Sequence, residues 1–296
     1  MDIGGTNTRA RLADLNGTAL VEVQEPTTAG SSDEIISQIT RLRDRLFEQH
    51  GRARNRLRAV VMGTPGVVDP KTHRVCYAPN LPALEQPHFL DRLSKFWPVP
   101  IRMANDVNLA ALGEARFEHK NVIRDFVFVS IGTGLGFGLV RDGIVYEGSG
   151  GRAGELGYLP YPPGCSTTIE TFVSGPGISS IHRNLGGSGQ AQDAFDEAHN
   201  QGTPGRETIE RFLSDLAWLL AILSTLLDPH EIVLGGGVGV RCGPYLPRLN
   251  DALAQFSPIR PQLSTSKLGG LAGLVGAVYQ ALDDCRPMER LREEAK

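Results

Sequence analysis

Residues 2–7 read Asp-Ile-Gly-Gly-Thr-Asn, and residues 130–136 read Ser-Ile-Gly-Thr-Gly-Leu-Gly. Both stretches end an apolar strand in a Gly/Thr turn from which a second strand begins. Because glycine has no side chain, the backbone amides of such a turn can converge on a phosphate group. One loop of this kind is equally consistent with an ordinary tight turn. Two loops, each behind a buried strand, predict a nucleotide-binding protein.

Predicted strands and helices alternate throughout the chain. Apolar residues recur at helical spacing over 35–46, behind candidate caps at Ser31 and Ser32, and Asp142-Gly143 is a typical two-residue hairpin turn. Further helices are predicted over 108–118, 206–227 and 272–282, and strands over 57–62, 99–104, 126–131 and 231–234. This alternation predicts an α/β fold with helix-covered sheets.

The bulk composition narrows the class of protein. The net charge of −3 in 296 residues provides no basic surface for nucleic acid or an anionic membrane. No apolar run of about 18 residues and no signal-peptide pattern is present, so we expect a cytoplasmic protein without a membrane partner. The four cysteines lie far apart, as expected of thiols in a reducing compartment.

Asn105-Asp106 follows a predicted strand, at the end where α/β sheets usually place ligand groups. A carboxylate there can take the proton of a sugar hydroxyl that attacks the γ-phosphate of ATP. The alternative is that Asp106 only caps the following helix. Gly235-Gly236-Gly237 also leaves two readings, because it either admits an adenosine to the backbone or makes a helix-packing turn.

Six motifs together resemble the ROK family of sugar kinases, in the family's order and over nearly the whole chain. They are Asp2-Ile-Gly-Gly-Thr, Gly63-Thr-Pro-Gly-Val-Val-Asp69, Asn105-Asp-Val-Asn108, Gly132-Thr-Gly-Leu-Gly136, Gly154-Glu-Leu-Gly157 and Leu234-Gly-Gly-Gly237. The resemblance implies a two-lobed α/β fold of the sugar kinase/actin type, with an interlobe cleft where ATP and sugar meet. It implies lobes at 1–104 with about 277–296, and at 105–276.

The resemblance also implies roles for single residues. Asp106 matches the catalytic base, and the sugar-binding positions are Gly66, Asn105, Asp106, Glu155, Tyr158 and Glu170. The ATP-binding positions are Asp2, Gly4, Gly5, Thr6, Asn7, Gly132, Thr133, Gly134, Gly235, Gly236 and Gly237. Asp2 is expected to hold Mg²⁺ through water, because hard cations prefer carboxylate oxygens.

The sequence departs from the family pattern at its metal site. Tyr158 stands where the family usually has a histidine, and Cys165 alone remains of its cysteine cluster. A tetrahedral zinc site needs four ligands, so we predict no zinc. Tyr158 either donates a hydrogen bond to a sugar oxygen or fills the space of the metal.

The second departure lies before Asp2. Family members carry a full first strand there, whereas Met1 directly precedes Asp2. A shortened central strand is expected to lower stability and to loosen the Mg²⁺-side loop, since each buried apolar side chain contributes roughly 1.5–3 kcal/mol.

The sequence therefore predicts an ATP- and Mg²⁺-dependent kinase that phosphorylates a hexose resembling glucose, at its 6-OH. The alternatives are an N-acetylhexosamine, fructose or allose kinase of the same family, or a non-catalytic ROK-type sugar sensor. Members of the family are commonly dimers, so the resemblance makes a homodimer possible, but no residue pattern in this sequence identifies an interface.

Overall fold

A computed structural model describes residues 1–51, 56–117 and 125–294, with side chains described up to residue 285. The chain divides into two compact units. Unit 1 holds residues 1–120, 145–153 and 271–296, and unit 2 holds residues 121–144 and 154–270. These units differ from the lobes expected at 1–104 with 277–296 and at 105–276, which remain predictions.

The strands, in chain order, are β1 (Asp2–Ile3), β2 (Asn7–Ala13), β3 (Ala19–Pro26), β4 (Val60–Thr64), β5 (Val67–Val68), β6 (Val75–Cys76), β7 (Ile101–Asn105), β8 (Asp125–Ile131), β9 (Leu135–Arg141), β10 (Ile144–Val145), β11 (Glu231–Gly235) and β12 (Gln262–Thr265). The α-helices are α1 (Ser32–His50), α2 (Phe89–Ser94), α3 (Asp106–Phe117), α4 (Gly175–Asn184), α5 (Ala191–His199), α6 (Thr203–Leu227), α7 (Gly236–Gly239), α8 (Leu246–Phe256) and α9 (Ala272–Glu294).

The main sheet of unit 1 has the strand order β3-β2-β1-β4-β7. β1 is antiparallel to β2 and parallel to β4, which is in turn parallel to β7. The carboxyl ends of β1, β4 and β7 therefore lie at one edge of the sheet. Asp2 is opposite Gly63 in this sheet, and Gly63 is opposite Ala104.

Helices cover both faces of this sheet. On one face, α1 contributes Ile35, Ile39 and Leu42 to a core that also contains Ile3 and Met62. α1 begins in a capping box of Ser31 and Glu34, and the left-handed Gly51 ends it.

On the other face, α3 and α9 pack against each other at glycines, where the backbone of one helix lies directly against the backbone of the other. A Cβ atom added to Gly276 would lie 1.7 Å from the carbonyl oxygen of Leu109, and one added to Gly113 would lie 2.3 Å from that of Ala272. Only glycine allows this separation. The crossing holds α3, and with it Asp106, against α9 within unit 1.

The sheet of unit 2 has the strand order β10-β9-β8-β11-β12. β8 and β9 form an antiparallel hairpin, while β8, β11 and β12 are parallel. Its core is completed by α6, whose Phe212, Leu216 and Leu220 are fully buried.

The predicted alternation of strands and helices is confirmed. The hairpin at Asp142-Gly143 is also confirmed, with both residues at positive φ. Two predicted helix starts were wrong. The helix predicted from residue 108 begins at Asp106, and the helix predicted from residue 206 begins at Thr203, where Pro204 fits the first turn.

Candidate active site

Asp2 and Asp106 flank one glycine at the sheet edge of unit 1. A Cβ atom added to Gly63 would lie 3.4 Å from Asp2 Oδ1 and 3.7 Å from the Cα atom of Asp106. Gly273 at the start of α9 is similarly close, because its added Cβ would lie 3.5 Å from both Asp2 Oδ1 and the carbonyl oxygen of Asp106. The two glycines therefore place no side chain of their own beside the Asp2 carboxylate and the Asp106 backbone, and Leu109 Cδ1 lies 3.1 Å from the Cβ position at Gly63.

The Asp2 side chain is half-buried. Desolvation raises its pKa, while the Met1 ammonium and Arg9 act in the opposite direction. A carboxylate beside two glycines is a chemically suitable ligand for a hydrated Mg²⁺ ion. The residues present thus fit the expected cation.

The Asn105 side chain fastens the start of α3 to the turn after β4. Its Oδ1 accepts a hydrogen bond from the amide of Asn108 at 2.9 Å, and its Nδ2 donates to the carbonyl oxygen of Gly66 at 2.9 Å. Asn105 is therefore the residue that caps α3. Asp106 is the first residue of the helix, and its Oδ1 accepts from the Val107 amide at 2.9 Å. Because Asn105 caps α3, capping of this helix does not require Asp106. The role of Asp106 as a catalytic base stays a prediction.

Gly66 has a structural reason to be glycine. Its φ is +82°, and an added Cβ would lie 2.5 Å from the carbonyl oxygen of Cys76.

Near this turn lies a residue pair that the sequence did not indicate. The exposed Tyr77 ring lies under the guanidinium of Arg152, with the Cζ atom 5.9 Å from the ring centroid. No sequence motif marks this pair.

The first Gly/Thr loop is a tight connection between β1 and β2. The Gly4 amide donates to the carbonyl oxygen of Asn7 at 3.1 Å, and the Asn7 Oδ1 accepts from Gln24 at 3.0 Å. An added Cβ on Gly5 would meet nothing within 4 Å. Gly5 and the neighbouring Thr6 are thus the part of the loop open to a ligand.

The second Gly/Thr loop joins β8 to β9 in unit 2. The Gly132 amide donates to the carbonyl oxygen of Gly134 at 2.9 Å, and the Gly132 carbonyl accepts from the amide of Gly175, the first residue of α4, at 2.7 Å. An added Cβ on Gly132 would meet nothing within 4 Å. The loop offers an open backbone surface of the type that binds phosphate.

Glu170 connects this loop to the predicted sugar carboxylates. Its Oε2 accepts a hydrogen bond from the Leu135 amide at 2.8 Å. The half-buried Glu155 is its electrostatic neighbour, since burial and then the Glu170 charge raise the pKa of Glu155. Gly157 lies between them in sequence, and an added Cβ there would be 3.1 Å from Glu170 Oε2. The structure thus brings the two predicted glutamates together.

Tyr158 ends the short 3₁₀ turn Leu156–Tyr158 and is 62% exposed, so it does not fill a buried metal-sized space. The nearby Tyr161 is the residue that anchors this segment. Its hydroxyl donates to Asp215 Oδ1 on α6 at 2.5 Å, and its ring lies 4.5 Å from that of Trp218 and 5.4 Å from that of Phe172. Burial raises the pKa of both Tyr161 and Asp215.

Gly235-Gly236-Gly237 serves packing at two of its three positions. An added Cβ on Gly235 would lie 2.1 Å from the Phe128 ring, and one on Gly236, at φ +76°, would lie 2.4 Å from the carbonyl oxygen of Ile131. Gly237 alone faces open space. Packing therefore explains why residues 235 and 236 are glycine. Contact with a nucleotide stays a prediction for Gly237.

The described residues contain neither a cluster of metal ligands nor a helix suited to cross a membrane. Within residues 1–51, 56–117 and 125–294, no three His, Cys, Asp or Glu side chains come together as a set that could hold a metal ion. Among the helices of those same ranges, none combines the length and the apolar character required to cross a membrane.

Comparison with known proteins relates this fold to sugar kinases. The structure of the ROK hexokinase from Thermus thermophilus superposes with a TM-score of 0.83 at 25% identity, over 97% of this chain and 98% of that one. A ROK family glucokinase from Streptomyces griseus, in complex with glucose and AMPPNP, gives a TM-score of 0.76 at 26% identity, over 95% and 97%. The mixed α/β fold is that of the ROK sugar kinases.

The model of the ROK family matches residues 1–284, and the chain belongs to this family. The bifunctional enzyme NanE/NanK of Brucella melitensis is 33% identical over 93% of the chain. The chain spans about half the length of that relative, 52%. Other curated relatives carry the names glucokinase and N-acetylmannosamine kinase. The predicted family and the predicted α/β fold are confirmed.

Proposed function

We propose that this chain is an ATP-dependent sugar kinase that transfers the γ-phosphate of ATP to a hexose hydroxyl. The observation that carries the proposal is the pair Asp2 and Asp106 around Gly63 and Gly273 in unit 1. The Asp2 carboxylate suits a hydrated cation, and the Asp106 carboxylate suits a proton acceptor. Phosphoryl transfer uses both a bound cation and a general base. Family membership supports the same reading.

Asp106 is the general base in this proposal. Asp106 is the first residue of α3, and the start of a helix is the end at which the helix dipole attracts a carboxylate. The Asn105 side chain fixes that helix start by its bonds to Asn108 and Gly66. When bound, Mg²⁺ near Asp2 would offset the charge of the phosphates.

Unit 2 by itself carries residues predicted to bind nucleotide and sugar. The open backbone at Gly132 and Gly237 suits phosphate and nucleoside contacts, as AMPPNP binding by the Streptomyces relative suggests for this family. Glu155 and Glu170 accept hydrogen bonds from sugar hydroxyls, since carboxylates with two oxygens suit vicinal hydroxyl groups. Tyr158, which is exposed, adds a phenolic donor.

The proposed acceptor is a glucose-like hexose at its 6-OH. Glucose binding by the Streptomyces relative supports it, whereas the names of other relatives make an N-acetylhexosamine the rival substrate. A homodimer and a cytoplasmic location remain predictions, of which the first is checked by light scattering of the purified chain.

The experiment measures ADP release across glucose, mannose, fructose, allose, N-acetylglucosamine and N-acetylmannosamine. Asp106→Asn should lower kcat by roughly 10²–10⁴-fold, since general-base catalysis contributes about that factor. Its sugar affinity, measured by calorimetry, should stay within about threefold because the amide keeps the shape of the side chain. The matched control Asp91→Asn changes an exposed aspartate of α2 in the same unit and should turn over normally.

Each result has a defined meaning. Turnover by Asp106→Asn at the wild-type rate would refute the base. Sugar binding without any ADP release from the unaltered chain would refute the kinase and indicate a sugar sensor. Faster turnover of an N-acetylhexosamine than of glucose would replace the acceptor and leave the mechanism intact.

A further inference from the structure

Two arginines follow the first Gly/Thr loop on strand β2. Arg9 and Arg11 are two positions apart, so both side chains leave the same face of the strand, and both residues are half-buried. The residue between them, Ala10, is fully buried in the core that α1 covers. Arg9 and Arg11 therefore lie on the opposite face of the sheet, against which α9 packs.

Asp2 belongs to the same face as Arg9. The register of β1 and β2 places these two residues directly opposite each other. Such residues point to one face of an antiparallel pair, with Cβ atoms about 4.5–5.5 Å apart. That face is the one with α9, because an added Cβ on Gly273 of this helix would lie 3.5 Å from Asp2 Oδ1. Desolvation raises the pKa of Asp2, and the positive charge of Arg9 is one of the two that lower it.

The two arginines differ in the residue that each meets on β3. Arg9 is opposite Gln24, and its Nε donates to Gln24 Oε1 at 2.9 Å. Arg11 is opposite Glu22, and its Nε and one terminal nitrogen donate to Glu22 Oε2 at 3.0 and 2.7 Å. Glu22 thus forms an ion pair with Arg11, whereas the amide of Gln24 orients Arg9 without adding a charge.

Gln24 also links Arg9 to the loop itself. Its Nε2 donates to the Oδ1 of Asn7 at 3.0 Å. Asn7 is the first residue of β2 after the Gly/Thr turn and one of the positions predicted to bind ATP. The three side chains therefore form one hydrogen-bonded row that begins at the loop and ends at an arginine level with Asp2.

We propose that Arg9 binds the β- and γ-phosphates of ATP at the first Gly/Thr loop, and that Gln24 is its positioning residue. This inference rests on the proposed kinase function. The planar guanidinium carries five N–H donors, which match phosphate oxygens in pairs. A positive side chain beside the predicted Mg²⁺ ligand also offsets the charge of the transferring phosphoryl group. A carboxylate at position 24 would compete with phosphate for the same donors, so a neutral amide suits this position.

The first experiment titrates the full chain with AMPPNP and with AMP in the presence of Mg²⁺. Arg9→Ala should lower AMPPNP affinity by at least about tenfold, the factor expected for a lost hydrogen bond to a charged group. Its AMP affinity should stay within about twofold, because AMP lacks the phosphates to which the lost bonds were made. Arg9→Lys keeps the charge without the planar donors and should lie between Arg9→Ala and wild type.

A pair of matched changes on β3 tests the role of Gln24. Gln24→Glu gives Arg9 the kind of partner that Arg11 already has, and should lower AMPPNP affinity by roughly 3–10-fold. In the Arg9→Ala background the same change should add less than about twofold, since it acts through Arg9. The control Glu22→Gln removes the charge opposite Arg11 and should leave AMPPNP affinity within about twofold. Gln24 is exposed, so these variants keep the test decisive if Arg9→Ala folds poorly.

Equal AMPPNP affinity for Arg9→Ala and the unaltered chain would overturn this inference and leave the kinase proposal intact, since ADP release is measured separately. An equal loss for AMPPNP and AMP would also overturn it, because Arg9 would then support the loop and not the phosphates. A loss in Gln24→Glu that persists in the Arg9→Ala background would contradict the positioning role. No AMPPNP binding by the unaltered chain would overturn the kinase proposal together with this inference.

Discussion

Glu170 accepts a hydrogen bond from the backbone amide of Leu135 at 2.8 Å, across 35 positions of sequence. Leu135 begins β9, directly after the Gly132–Gly134 turn. One oxygen of a carboxylate predicted to bind sugar is therefore already bound to the predicted phosphate loop. This bond joins a residue predicted to bind sugar to a loop predicted to bind phosphate, and charge-assisted bonds of this kind are among the stronger ones in proteins.

Removing that bond should weaken nucleotide binding even without sugar. Glu170→Ala should lower AMPPNP affinity by roughly 3–10-fold, because a hydrogen bond to a charged group contributes about 1.5–3 kcal/mol and part of it orders the loop. Glu170→Gln keeps an acceptor oxygen for Leu135 and should lose less than about threefold. Calorimetric titration of both variants measures this. Equal affinities for wild type and Glu170→Ala would show that the loop needs no such anchor.

Open space over Gly132 predicts a change in binding without a change in stability. Nothing lies within 4 Å of an added Cβ there, so Gly132→Ala should keep Tm within about 2 °C of wild type. The new methyl group would occupy the loop surface and should weaken AMPPNP binding about tenfold, the factor expected when a charge-assisted bond is lost. Thermal melting and titration of one sample measure both quantities. Unchanged nucleotide affinity would place the phosphate site elsewhere.

An alanine substitution at Gly276 should instead lower the stability of the fold. Its added Cβ would lie 1.7 Å from the Leu109 carbonyl oxygen, and no side-chain rotation relieves a clash with backbone. Gly276→Ala should cost roughly 3 kcal/mol, the upper part of the range for overpacked cores. Urea denaturation measures the loss. A stability equal to that of Gly132→Ala would mean that α3 and α9 separate without cost.

The local features of this fold were predictable because local sequence causes them. Ser31, one of the two candidate caps, is the N-cap of α1, and Asp142-Gly143 forms the predicted hairpin turn. The start of α3 was missed although its signal was present. Asn105 is a favourable N-cap residue, and its Oδ1 accepts from the Asn108 amide, so the helix begins two residues earlier than predicted.

The contacts that distant segments make were not predictable from one sequence. Nothing in the local pattern links Gly276 to Leu109, or Leu135 to Glu170. Family resemblance named Glu170 as a sugar residue and gave no reason to expect its bond to the loop. The glycines at 235 and 236 show the same limit, because their packing against β8 depends on the sheet order.

The Tyr161–Asp215 bond should stabilise the segment that carries Tyr158 and Glu170. Tyr161→Phe removes the hydroxyl and leaves a half-buried carboxylate without that donor, at a cost of about 1–3 kcal/mol. The ring contacts with Trp218 remain in that variant. The matched control Asp215→Asn keeps an acceptor for the hydroxyl and should cost less. Urea denaturation ranks the two variants, and a larger loss for Asp215→Asn would contradict this assignment.

Glu155 should make the protein less stable as it ionises. Burial and the charge of Glu170 raise its pKa in the folded state, so the folded protein holds this proton more tightly than the unfolded chain does. Its favourable contribution is therefore complete below the unfolded pKa, near 4.5, and is lost as the pH rises through the higher folded value.

Glu155→Gln cannot ionise and should melt at a higher temperature than wild type at pH 7–8, with the difference shrinking to nothing near pH 4. Thermal melting of both proteins across that range measures the difference. The same variant should bind sugar more weakly at pH 7, because a neutral amide accepts weaker hydrogen bonds than a carboxylate. Such a cost to stability is expected of a residue that is kept for ligand contact, which is the role predicted for Glu155. A Tm difference that does not vary with pH would show that Glu155 titrates alike in both states.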